Sequence, residues 1–102
     1  MKPVTVINRL VIKPGRIDEF VEAQRAFANA LSDKPCGLLG GRMYRSVDGT
    51  SAVLVSQFAS AAAQEEIRQS DAFKQHVAKL QSLIESSSPS AYEEAYTTGD
   101  FR

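Results

Sequence analysis

The sequence predicts one α+β domain, in which helices cover one face of a four-stranded antiparallel sheet. Two observations predict this class. Runs of β-branched and aliphatic residues alternate with segments of three- and four-residue apolar spacing, in the order strand, helix, strand, strand, helix, strand. The 102 residues also suit a single core, and no repeat or linker divides them. Residues 1–102 are therefore expected to form one βαββαβ domain of the ferredoxin-like type.

The first strand is predicted at residues 4–12, which are rich in valine and isoleucine and end at the Lys13-Pro14-Gly15 turn. Apolar residues then recur at helical spacing over residues 17–31, and the polar Gln24 occupies one position of the same stripe. The pattern indicates an amphipathic helix that is closed by a loop at residues 32–37.

A hairpin is predicted in the middle of the chain. Strand-like residues 38–46 and 52–58 flank Val47-Asp48-Gly49-Thr50. An Asp-Gly pair between two such runs favours a type I′ turn, which needs positive φ at both central residues.

The second helix is predicted in two pieces, at residues 61–69 and from Asp71 to about Glu85, with Ser70 as the N-cap of the second piece. The second piece carries an apolar stripe of Phe73, Val77, Leu80 and Ile84. The serine-rich residues 86–90 are predicted to end it, and residues 91–98 to form the last strand.

The first strand is apolar on both faces. One parity carries Val4, Val6, Leu10 and Ile12, and the other carries Ile7 and Val11. An antiparallel sheet with one face in water alternates more cleanly, so the second face is expected to pack on a two-fold-related copy of the chain. The sequence therefore predicts a homodimer.

Charge, apolar run length and cysteine count limit the classes of partner and site that are expected. Twelve basic and twelve acidic side chains cancel, with no basic cluster, so nucleic acid is not an expected partner. No apolar run approaches the roughly 20 residues that span a bilayer, and no signal peptide begins the chain, so a cytoplasmic protein without a membrane partner is expected. Cys36 is the only cysteine, which excludes an internal disulfide and a cysteine-based metal site, and Cys36 is expected to have no role.

Asn8 interrupts the apolar parity of the first strand, so its amide is expected to point into an enclosed space. A buried amide needs partners. Two interpretations remain open: a structural hydrogen bond to a neighbouring strand or helix end, or a polar group aimed at a ligand in an apolar cavity.

His76 is the only histidine and lies at the edge of the apolar stripe of its helix. Its ordinary pKa suits a general base or a ligand, but a packing role is equally compatible with this position.

Tyr44 and Arg42 share one parity of their strand and could place a phenol and a cation on one wall of a pocket. No nucleophile triad, metal motif or phosphate-binding loop is present, so any chemistry must come from a reactive substrate or a bound cofactor.

Three stretches resemble the antibiotic biosynthesis monooxygenase family of dimeric α+β barrels: Val6-Ile7-Asn8-Arg9-Leu10, Lys13-Pro14-Gly15-Arg16-Ile17-Asp18-Glu19-Phe20, and Ser70-Asp71-Ala72-Phe73-Lys74-Gln75-His76. The resemblance covers nearly the whole chain. It implies a monooxygenase that acts without a cofactor or metal on a small aromatic or quinol, whose own anion activates dioxygen. Asn8 would polarise a substrate oxygen, and His76 would be the candidate base or a hydrogen-bond partner of the substrate. The expected pocket walls are Phe27, Tyr44, Ile67 and Phe73.

Two alternatives accompany this interpretation. One branch of the same superfamily degrades haem with an asparagine, a tryptophan and an iron-ligating histidine, and Asn8 and His76 occupy the matching places. Ile67 stands where that branch has tryptophan, which argues against haem degradation but not against haem binding through His76. The other alternative is a dimer that binds a ligand without catalysis, for example in a stress response.

Overall fold

A computed structural model of the protein describes residues 2–32 and 37–101. Cys36, and most of the loop predicted at residues 32–37, lie outside the described residues. The described chain forms four strands and three helices: β1 (Val4–Ile12), α1 (Ile17–Ser32), β2 (Leu38–Arg45), β3 (Ser51–Phe58), α2 (Ala61–Gln69), α3 (Asp71–Leu80) and β4 (Ile84–Tyr92).

The four strands form one sheet in the order β2-β3-β1-β4, and every neighbouring pair is antiparallel. This is the predicted ferredoxin-like βαββαβ arrangement. The most apolar strand, β1, has a partner on each side, because its mixed valine, leucine and isoleucine faces suit a central position. None of the described helices is long and apolar enough to cross a membrane.

Helix α1 is anchored to the sheet by Phe20, whose side chain is 0% exposed. Around it the core brings together residues of β1, β3, α3 and the turn that follows α3: Leu10, Ile12, Ala52, Leu80 and Leu83. Burying a side chain of this size contributes about 1.5 to 3 kcal/mol to folding. The core therefore fixes α1 and α3 on the same face of the sheet.

Two serines set the start of the second and third helices. The Ser60 hydroxyl accepts a hydrogen bond from the Ala63 backbone N–H at 3.1 Å. The Ser70 hydroxyl accepts one from the Phe73 N–H at 3.2 Å and donates to the Ile67 carbonyl at 2.6 Å. Ser70 thus ends α2 and caps α3, as its position between the two helical patterns predicted.

The C-terminal part of the sequence prediction was wrong. Helix α3 ends at Leu80 and not near Glu85, and the last strand is Ile84–Tyr92 and not residues 91–98. Ile84 therefore lies on β4, where it pairs with Ile12 across a register shift. The serines and Pro89 have low strand propensity, but β4 is an edge strand, where a residue without an N–H is tolerated.

The hairpin between β2 and β3 is present, but the predicted type I′ turn is not. Gly49 has φ of 76°, whereas no non-glycine residue has positive φ among those described. The Gly49 N–H donates to the Ser46 carbonyl at 3.0 Å, and the Asp48 carboxylate accepts from the Thr50 N–H at 3.1 Å. One left-handed glycine and a side-chain bond therefore close this longer loop.

Side-chain alternation gives the sheet two different faces. We use "covered face" for the one under the helices, which includes Asn8, Leu10 and Leu54, and "open face" for the other. The open face carries half-buried or exposed residues from all four strands: Ile7, Arg9, Arg42, Tyr44, Val53, Val55 and Tyr92.

Candidate functional site

A cavity of about 1200 Å³ is lined by residues of the covered face of the sheet and of all three helices. It is large compared with the 300 to 1,000 Å³ that is typical of small-molecule sites. Of the residues predicted for a site, five line it: Asn8, Phe27, Ile67, Phe73 and His76. The fold therefore brings together residues that lie up to 68 positions apart in the sequence.

Two helices present the aromatic part of the cavity. Phe73 and His76 are three residues apart on α3, so they lie on the same face of the helix. Phe27 of α1 stacks on the His76 ring, with centroids 4.1 Å apart and planes 3° from parallel. Phe27 also meets Phe73 at a centroid distance of 6.2 Å and an interplanar angle of 59°. These rings form an aromatic wall that suits an aromatic ligand.

His76 is more buried than its place at the edge of the stripe predicted. It is 8% exposed, whereas Val77, which was assigned to the stripe, is exposed. Burial, with a smaller contribution from the charge of Lys79, lowers the pKa of His76 from its ordinary value of 6.5. The imidazole is therefore neutral near pH 7 and able to accept a proton.

Gln24 is the residue of this site that sequence reasoning missed. Its side-chain oxygen lies 2.5 Å from Nε2 of His76, across 52 positions of sequence. The available signal was a polar residue within the apolar stripe of α1, one helical turn before Phe27. Nothing in the sequence connects that position to His76.

Asn8 makes a structural hydrogen bond, which was one of its two predicted roles. Its side-chain oxygen accepts from the Ser88 backbone N–H of β4 at 3.0 Å. Because a backbone N–H can only donate, this bond fixes the orientation of the Asn8 amide. The amide nitrogen, with two donor hydrogens, has no protein partner among the described residues. Asn8 is half-buried and lines the cavity, so the second predicted role remains compatible with this geometry.

Ile67 contributes an apolar wall from α2 and is buried. Tyr44 is the exception among the predicted wall residues, and that expectation was wrong. It pairs with Val53 on the open face, is 45% exposed, and does not line the cavity. Its phenol oxygen accepts a hydrogen bond from Arg42 at 3.1 Å, so the predicted phenol and cation do lie together, but on the opposite side of the sheet.

Among residues 2–32 and 37–101, no group of three or more His, Cys, Asp or Glu side chains could hold a metal ion. Haem ligation through Nε2 of His76 fits poorly, because the ring is stacked under Phe27 and Nε2 is bonded to Gln24. An iron atom would have to displace Gln24 to reach that nitrogen.

A comparison with protein-family models places this site in context. The model described as antibiotic biosynthesis monooxygenase matches residues 3–79, which is most of the chain. The chain belongs to this family. The resemblance stated from the sequence is thereby confirmed. No match was found among the curated proteins.

Solved structures of members of this fold are similar over almost the whole chain. SnoaB, a cofactor-independent oxygenase from Streptomyces nogalater, is 21% identical, with 95% of this chain and 97% of that chain covered and a TM-score of 0.83. Rv0793 from Mycobacterium tuberculosis is also 21% identical, covering 96% and 100% with a TM-score of 0.79. PA3566 from Pseudomonas aeruginosa is 18% identical, covering 94% and 97%, also with a TM-score of 0.79. At these identities the likeness establishes the fold.

Proposed function

We propose that this protein is a cofactor-independent monooxygenase that oxidises a small aromatic or quinol substrate with dioxygen in the cavity. One observation carries the proposal: a buried, neutral His76 and an Asn8 amide with free donors line the same cavity, whose walls are aromatic and aliphatic. Membership of the monooxygenase family and the fold shared with SnoaB, itself a cofactor-independent oxygenase, support it.

In the proposed reaction, His76 takes a proton from a hydroxyl or an activated carbon of the substrate. The resulting anion supplies the electrons that reduce dioxygen. One oxygen atom forms a bond to substrate carbon, and the other leaves as water with the two hydrogens that the substrate loses. Oxygen and electrons therefore balance without a metal, flavin or external reductant.

The other residues have simpler roles. The Asn8 amide nitrogen donates to a substrate oxygen, which holds negative charge where it develops. Phe27, Ile67 and Phe73 exclude water and orient a flat ring next to His76. An anion that water cannot solvate or reprotonate reacts more readily with dioxygen.

We infer that the working form is a cytoplasmic homodimer. The apolar residues of the open face, among them Ile7, Val53 and Val55, are only half-buried in the single chain. A second sheet packed on this face would remove them from water, which is the contact that gives the strongest driving force here.

An oxygen electrode tests the proposal, with hydroquinones and anthrone-like aromatics as substrates and a chelator present. We expect substrate-dependent oxygen uptake that falls about 100-fold to 10,000-fold in His76→Gln, because a positioned base contributes that much. Asn8→Ala should also lower it. Gln75→Ala removes an exposed amide next to His76 in sequence but outside the cavity, and should leave it unchanged.

Three outcomes would contradict the proposal. Full activity in His76→Gln would show that His76 is not the base. Tight binding of the same aromatics without oxygen uptake would indicate a passive ligand-binding dimer. A haemin titration that gives a sharp Soret band, lost in His76→Ala, would indicate haem binding instead.

A further inference from the structure

We propose that Gln24 is a positioning residue: its side-chain oxygen accepts the Nε2–H of His76, and Nδ1 is thereby the nitrogen that takes the proton from the substrate. This inference rests on the proposed function, since it assigns the reacting atom of the proposed base. It concerns a residue that touches His76 and acts through it.

Two contacts fix the imidazole in different ways. Phe27 stacks on the ring at 4.1 Å with planes 3° apart, which sets the plane of the ring but leaves rotation within that plane free. The bond from Nε2 to Gln24 at 2.5 Å removes that rotation. Both partners lie on α1, while His76 lies on α3, so the packing of these two helices determines the orientation of the base.

The bond also decides which nitrogen carries the hydrogen. A neutral imidazole has one N–H donor and one acceptor nitrogen, and an amide oxygen can only accept. With the Gln24 oxygen facing Nε2, the hydrogen sits on Nε2 and the lone pair on Nδ1. A Gln24 amide rotated by 180° would offer N–H to Nε2 and place the hydrogen on Nδ1. The two arrangements predict opposite tautomers.

The chemical type of the partner matters. A carboxylate at this position would stabilise the imidazolium, whereas the uncharged amide of Gln24 orients the ring without doing so. The neighbouring charged side chains of α1 that line the cavity, Glu22 and Arg25, are exposed and paired with each other at 3.0 Å. Lys79 on α3 is the charged group that acts on the ring, and Glu85 of β4 lines the cavity from another side. The Gln24 amide therefore orients the His76 ring and leaves it uncharged.

The single histidine makes the test unusually clean, because imidazole ¹⁵N spectra of the whole protein contain the two ring nitrogens of His76 alone. We expect the native protein to show the Nε2–H tautomer. Gln24→Met keeps the length of the side chain without its hydrogen bond, and should give a mixture of tautomers. Gln24→Glu restores an acceptor oxygen and, at a pH high enough to keep the imidazole neutral, should restore Nε2–H. Gln75→Met makes the same exchange on the exposed side of α3 and should change nothing.

Oxygen uptake provides the second measurement. We expect Gln24→Met to lower kcat by about 10-fold to 100-fold with little change in KM, because the misdirected base affects the reaction more than binding. An Nδ1–H tautomer in the native protein, or an unchanged tautomer in Gln24→Met, would overturn the inference. The spectra require no substrate, so a tautomer that depends on Gln24 in a protein without oxygen uptake would overturn the proposed function and leave the positioning role established.

Discussion

The two faces of the sheet come from the same four strands but have different surroundings. On β1, Leu10 and Ile12 of the covered face are buried, whereas Val11, which lies between them in sequence, is half-buried on the open face together with Ile7. The covered face supplies both a packed core and, beginning at Asn8, one wall of the cavity. The difference teaches that one face provides folding energy and a candidate site together, whereas the other keeps apolar side chains that the proposed dimer would cover.

The largest expected effect is on the free energy of unfolding, and comes from a truncation in the core under the covered face. Phe20→Ala removes a side chain that is 0% exposed and leaves a cavity at the centre of the core, so the free energy of unfolding should fall by about 3 to 5 kcal/mol. Urea denaturation followed by circular dichroism measures it. Tyr96→Ala truncates an aromatic that is 81% exposed and should change stability by less than about 0.5 kcal/mol. Equal effects of the two variants would mean that the covered face is not the core.

The next effect concerns the open face. Val55 lies at its centre, paired with Ile7 on one side and Arg42 on the other. Val55→Asp would bury a charge in the proposed dimer interface and should weaken dimerisation by at least about 100-fold, or 2.7 kcal/mol. Light scattering over a dilution series measures the change.

Val47→Asp is the matched control, because the same exchange falls on a fully exposed residue of the hairpin loop. It should leave the dimer intact. A native protein that scatters as a monomer at micromolar concentration would contradict the dimer and would leave the open face in water.

The smallest effect is a pH dependence of stability that originates in the cavity. Since the folded protein lowers the pKa of His76 below 6.5, the unfolded chain binds its proton more readily. Stability should therefore fall as pH drops below about 6.5, and continue to fall until the folded-state pKa is passed. Urea midpoints between pH 7.5 and 5 measure it, and His76→Gln should flatten the slope.

Asp48, on the surface, differs from His76 in the pH range over which it can affect stability. Hydrogen bonds from Ser46 and Thr50 lower its pKa from 3.8 to about 2, so any stability it adds is lost only as pH falls through that lower window. A slope between pH 7.5 and 5 that survives in His76→Gln would mean that another group is responsible.

Much of the fold could be predicted because local patterns decided it. Residues 4–12 gave β1 from their β-branched composition, and Ser70 gave the boundary between α2 and α3 from its capping chemistry. Strand β4 escaped prediction, because a serine-rich segment with Pro89 becomes a strand only when β1 offers it a partner. The pairing of β4 with β1 is a long-range interaction, which local strand propensity cannot predict.

The site was predicted less completely, for a similar reason. Asn8 and His76 were identifiable as polar residues beside apolar stripes. Tyr44 was placed on the wrong side, because β2 carries glycine and arginine on both parities, so its pattern does not reveal which parity the helices cover. Gln24 needed knowledge of a helix pair that brings residues 52 positions apart into contact.

Strand β4 also has a consequence for how the chain behaves before it is fully assembled. As an edge strand it exposes one row of backbone groups, which in most sheets can recruit a foreign strand and start aggregation. Pro89 has no N–H to offer to another strand, and the small serines around it expose little apolar surface. We therefore expect the weak strand propensity that hid β4 in the sequence to make it a poor template for a fifth strand.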